Sequence, residues 1–256
     1  MNYKTLVIIL FFIFLWNKGN CTNSAQDSIK VEEESDWYFG ADAAFTDKYL
    51  WRGIVFNHGL ILQPQVYAGY KDFSICFWGN APLWDVDSVA GDEIDIYLDY
   101  YHSFSSIDVE ASLNLYTYPG QDYPVTMELF AGVFYPIGDF TVFADINVDL
   151  LANLGGTFYE LGLEYQKDFS ERFSIATKVQ GGIGSKLFNS YNLDIEKSGL
   201  NFIGGNVILT YSLCEGLFID AGYYHDFIID DEIKQAIRDI YDVPSSAFEL
   251  KIRKEF

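Results

Sequence analysis

Basic residues are scarce in this 256-residue chain: 16 Lys and Arg stand against 37 Asp and Glu, for a formal net charge of -21. A chain of that balance cannot neutralise phosphates, which excludes nucleic acid as a partner. Long apolar runs are scarce too. Beyond residue 16 none approaches the ~20 residues a membrane-spanning helix needs, and mean hydropathy is only +0.05. A helical transporter is thereby excluded. Three cysteines without a CxxC, and three histidines without an HExxH, give no Cys/His cluster, so neither a metal nor a cofactor is expected. Cys76 and Cys214 lie deep in the chain and a bridge between them is open, though nothing in the sequence requires it.

Aromatic residues are what the chain has in excess: 22 Phe, 19 Tyr and 5 Trp. A disordered acidic tail lacks them, and one soluble core has little room for so many. The sequence is apolar and acidic at once.

Residues 1–22 have the layout of a secretory signal peptide: Lys4, an apolar run from Leu6 to Trp16, then a polar stretch. Cys21 follows Lys18-Gly19-Asn20, which lacks the Leu and small residues of a lipid-attachment signal. Cleavage would remove two lysines and no acid, making the mature chain more acidic still. Residues 23–36 read as a disordered acidic leader, and 37–256 as the folded domain.

From Trp37 onward the pattern has period two. Ile94, Ile96, Leu98 and Tyr100 alternate with Glu93, Asp95, Tyr97, Asp99 and Tyr101; Ile107, Val109, Ala111 and Leu113 alternate with Asp108, Glu110, Ser112 and Asn114. Such alternation marks strands with one apolar and one polar face. About twelve segments of roughly ten residues repeat it, and short links take turns with longer ones at 47–59, 81–92, 119–125, 151–156, 183–200 and 228–245. The last of these longer links contains DDEIKQAIRDIYDV, with helical periodicity. The expected class is all-β: a transmembrane antiparallel up-and-down β-barrel of about 12 strands in a bacterial outer membrane, with lipid as its surroundings. A soluble sandwich or lipocalin-like barrel alternates as well, with its faces reversed. Strand length, aromatics toward strand ends (Trp37, Tyr70, Tyr100, Tyr135) and the terminal Phe256 favour the membrane version. A last amphipathic strand ending in Phe256 resembles the signal that barrel-assembly machinery recognises.

Lys48-Tyr49-Leu50-Trp51-Arg52-Gly53-Ile54 resembles the YxWRGI signature near the start of the TorF family of porins. Glu93-Ile94-Asp95-Ile96-Tyr97 and Tyr116-Thr117-Tyr118-Pro119 resemble later segments of that family in the same order, and residues 37–135 carry the likeness. The family's usual Ser-Gln pair is replaced here by Val55-Phe56-Asn57. The resemblance implies an outer-membrane channel rather than any one solute.

With the apolar faces toward lipid, the pore lining is expected to include Asp42, Glu93, Asp95, Asp99, Asp108, Glu110, Asp145, Asp149 and Asp220, against Lys178. Like charges within a low-dielectric wall focus a negative potential, which favours cationic or neutral small solutes. Arg52 is the constriction candidate. A non-conducting barrel that binds partners through its external loops is the alternative. An outer-membrane hydrolase is a weaker one: among His58, His102 and His225, nothing singles out an acid for His58, the neighbours His225 and Asp226 would face opposite sides of a strand, and no GxSxG occurs.

Overall fold

The structure, a computed structural model, describes residues 36–83, 91–240 and 245–256. The expected signal peptide, Cys21 and nearly all of the acidic leader lie outside the described residues.

Twelve strands form the chain: β1 Trp37–Trp51, β2 Ile54–Tyr70, β3 Phe73–Pro82, β4 Glu93–Ser103, β5 Asp108–Thr117, β6 Thr126–Ile137, β7 Phe140–Asp149, β8 Thr157–Ser170, β9 Phe173–Gly184, β10 Gly199–Cys214, β11 Leu217–Phe227 and β12 Ser245–Glu255. Each pairs antiparallel with its sequence neighbours, and β1 pairs with β12, so the sheet closes into an up-and-down barrel. Closure leaves no strand edge unpaired. The last residue takes part, since the Phe256 N–H donates to the Phe39 carbonyl at 3.0 Å.

The sides of the sheet are inverted relative to a soluble protein. Asp95, Asn57, Asn80 and Asn201 are among its most buried side chains, whereas Phe73, Leu161, Val179 and Phe248 are 62–63% exposed. Apolar area in water costs about 25 cal/mol per Å², so an exterior of this kind calls for an apolar surrounding. Period two delivers both faces from the same strands: Leu98 points out and Asp99 points in, where Ser74 donates to its carboxylate at 3.0 Å.

Two reciprocal pairs fit the interior wall at the short-turn end. Tyr38 lies opposite Gly69 and Tyr67 opposite Gly40, each ring flat over the glycine. A Cβ on Gly69 would stand 2.0 Å from the Tyr38 ring, which only glycine avoids.

Two local expectations need correction. Residues 47–59 are not an open loop: β1 and β2 continue to a two-residue turn at Arg52-Gly53. Both turn residues have positive φ, 50° and 82°, the pattern of a type I′ hairpin that matches strand twist. Register shifts at Thr46/Lys48 and Tyr49/Leu50 bend this hairpin. His58 accordingly sits within β2 rather than in a loop. The bridge that the sequence left open is decided here: Cys76 is a free, buried thiol and forms none with Cys214. The loop before β12 does hold a helix, α2 Asp231–Ile240, and the loop before β10 holds another, α1 Lys186–Leu193.

A charged side chain on the outer band should be far worse than one inside. Leu161→Lys is expected to lower folding stability in lipid vesicles by about 2–4 kcal/mol. Gln65→Lys, on the interior face opposite Asp42, should change it by less than about 1 kcal/mol. Urea titration of both variants refolded into vesicles provides the comparison.

Candidate functional site

Alternation and register place Asp42, Glu93, Asp95, Asp99, Glu110, Asp145 and Asp220 on the interior face, with Asp42, Glu93, Asp95 and Asp220 buried. Asp108 lies at the start of β5, half-buried at the short-turn end. Asp149, at the end of β7, serves its own loop: it accepts from the Thr126 hydroxyl at 2.6 Å and from the Leu151 and Asn153 amides at 2.8 and 3.0 Å.

The interior bases are each committed. Lys178 pairs with Glu164 at 3.0 Å and Lys251 with Glu249 at 3.5 Å, while Arg253 joins Asp220 and Glu255. Among the described residues no base forms an ion pair with Asp42, Glu93, Asp95, Asp99, Glu110 or Asp145. A buried Oδ1 of Asp95 accepts no hydrogen bond, although its Oδ2 receives the Tyr97 hydroxyl at 2.8 Å.

Arg52 is the one base carried in by a turn. From the tip of the first hairpin its guanidinium reaches Glu128 on β6 with two bonds of 2.8 Å, both side chains being 7% exposed. β1 and β6 stand on opposite sides of the ring of strands, so this fork spans the mouth. The guanidinium also stacks on Trp51 at 4.3 Å, Phe158 at 4.9 Å and Phe188 at 5.5 Å. Ser245 fastens the tip by donating to the Gly53 carbonyl at 2.7 Å. A Cβ on Gly53 would meet Ile228 at 2.9 Å, so close packing and positive φ both call for glycine there.

An apolar cluster of Ile54, Phe158, Phe202, Phe188, Ile233 and Ile237 packs beside this fork. The two helices supply its upper half. Ser185 caps α1 by accepting the Phe188 amide at 3.2 Å. Asp230 caps α2 by accepting the Glu232 and Ile233 amides, and Lys197 bridges Asp230 and Glu232 at 2.7 and 2.9 Å. Lys197 and those amides hold the Asp230 carboxyl below the usual carboxylate range.

Beside the fork, a cavity of about 300 Å³ opens at the loop end of the barrel, between α1 and the ends of β4, β5 and β6. Its walls are mainly aromatic, with Glu93, Glu128 and Asp149 among them. Sequence reasoning missed Glu128. The interior face of β6 below it reads Phe130, Gly132 and Phe134, so the strand gives no acid alternation. It missed the aromatic wall as well: Tyr116 and Tyr118 look like membrane girdle from the sequence, yet both line the cavity, and Tyr191 joins them from α1.

No known family model matches the sequence, and no curated protein sequence matches it. Among solved structures, a KdgM porin in complex with disordered oligogalacturonate superposes with a TM-score of 0.53 at 10% identity, covering 86% of this chain and 99% of that one. A NanC porin does so with 0.53 at 6% identity, covering 84% and 98%. At these identities the likeness is one of fold: this chain shares the architecture of outer-membrane porins.

Removing one partner of a buried fork leaves the other charge uncompensated, at a cost of about 3–5 kcal/mol. Arg52→Ala should therefore destabilise the micelle-folded protein by about 3 kcal/mol, and by clearly less when Glu128→Gln is already present. Urea unfolding of the four-member cycle reads the coupling. For Asp230, a depressed carboxyl stabilises α2 above the ordinary aspartate pKa and loses that contribution as pH falls through its lowered value. Amide protection factors in residues 231–240, corrected for the intrinsic exchange rate at each pH, should fall below about pH 4.

Proposed function

We propose that the protein is an outer-membrane channel of the TorF type for passive diffusion of small solutes, preferring cations or neutral molecules. The observation that carries this reading is the charge left over inside. Each interior base already has an acid, while Asp42, Glu93, Asp95, Asp99, Glu110 and Asp145 have no basic partner in an ion pair among the described residues. Fixed negative charge in a narrow low-dielectric passage concentrates cations and repels anions. Oligogalacturonate, named with the KdgM porin, is a polyanion, so this interior suits the opposite class of solute.

Arg52 and Glu128 then act as the constriction. Their fork and the cluster beside it narrow the mouth from the loop side, leaving the acid-lined passage below. Residues 1–22 direct export, the membrane surrounds the apolar band, and Phe256 at the end of the closing strand serves as the assembly signal. The same narrowed mouth supports a second reading, a barrel that binds at its loop end and does not conduct.

Planar-bilayer recordings separate the two. Under a potassium chloride gradient the reversal potential should report cation preference, and Asp99→Asn with Asp145→Asn should move it toward zero. Arg52→Ala should raise single-channel conductance. Anion preference contradicts the channel reading as stated. An absence of current in both wild type and Arg52→Ala favours the binding barrel.

A further inference from the structure

Arg52 shows what the mouth of this barrel can hold. Its guanidinium is a planar cation gripped on one side by a carboxylate and on the others by the faces of Trp51, Phe158 and Phe188. The chain thus carries, as a tethered side chain, a working example of cation recognition by rings and an acid. The neighbouring cavity of about 300 Å³ repeats that chemistry with no occupant among the described residues. It shares Trp51, Phe188 and Glu128 with the Arg52 site and adds Tyr118, Tyr191 and Glu93.

We propose that this cavity binds small organic cations with a flat apolar body, of the amidinium or aryl-ammonium class. Three observations converge on that class. The first is an unpaired carboxyl: Glu93 is 5% exposed and lines the cavity, with Tyr49 within hydrogen-bonding reach and no base paired with it among the described residues. On the same face of β4, two residues further on, Asp95 is 1% exposed and keeps an unpartnered Oδ1. Buried charge without a partner is costly, and a cation entering from the mouth supplies the missing one.

The second is the aromatic wall. Tyr118 and Tyr123 meet edge to face with centroids 5.7 Å apart, while Trp51 lies 5.7 Å from Phe188 and 5.5 Å from Phe56. Ring faces attract a desolvated cation and cover the apolar part of its carrier. The third is what other ligands would leave unused. A hard metal ion seeks several oxygen ligands and has no use for rings, and no group of three metal-ligating side chains occurs among the described residues. A neutral sugar stacks on tyrosines and can donate a hydroxyl to Glu93, but it brings no positive charge to an acid that has no base. An anion meets like charge.

The inference deepens the channel reading by naming a solute class, yet it rests on the cavity and is measured without current. Calorimetric titration of the full chain in zwitterionic micelles compares benzamidine with its neutral isostere benzamide, and with benzoate and glucose. Benzamidine is expected to bind at least about tenfold more tightly than benzamide. Glu93→Gln should abolish that advantage while leaving benzamide unchanged. Tyr191→Ala changes a half-exposed position of α1 outside the sheet, so it remains informative even if the Glu93 variant fails to fold. It should weaken benzamidine about three- to tenfold. Equal binding of benzamidine and benzamide, preference for benzoate or glucose, or benzamidine binding unmoved by Tyr191→Ala would each overturn the proposal. Benzamidine binding without conductance removes the channel and leaves the site; cation conductance without benzamidine binding removes the site and leaves the channel.

Discussion

Closure of the sheet is the constraint on which everything else here depends. Once β1 pairs with β12, the strand-edge backbone groups find partners within the ring and the barrel has only two kinds of surface. Residues alternate between them with no intermediate choice, so a chain that puts Ile94, Ile96 and Leu98 outside must put Glu93, Asp95 and Asp99 inside. The composition that looked contradictory, half apolar and strongly acidic, is what this geometry requires of an apolar exterior and a polar interior.

The second level of organisation is the loop end. There the chain departs from the regular ladder in a coordinated way. Register shifts bend the first hairpin, positive φ at Arg52 and Gly53 turns it tightly, and the two helices pack against its tip. The Arg52–Glu128 fork is affordable only because it is bidentate and stacked on rings; a single long bond would not offset the desolvation of two buried charges. The apolar cluster and the charged fork therefore support each other, one excluding water and the other fixing position. The aromatic cavity is the space that this arrangement leaves beside α1.

Much of this was legible in the sequence. Strand positions, most of the alternation of connections and the inward side of Glu93, Asp95 and Asp99 on β4 follow from period two. The failures share a physical cause. Period two carries no information where parity shifts, so residues 47–59 read as a loop when bulges had only broken the count. Nor does it flag apolar residues turned inward. Phe143, Phe158 and Phe202 pack inside over Gly162 and Gly182, whose missing side chains make the room. Glu128 was hidden among such residues, and the partner of Arg52 was hidden with it.

The central claim is sidedness, and one measurement tests it most directly. Nitroxide spin labels placed singly from Glu93 to Tyr101 in vesicle-reconstituted protein report collisions with oxygen, which concentrates in the lipid phase. Oxygen accessibility should peak at positions 94, 96, 98 and 100 and fall at 93, 95, 97, 99 and 101. Peaks at the odd positions, or no period of two at all, would contradict the account.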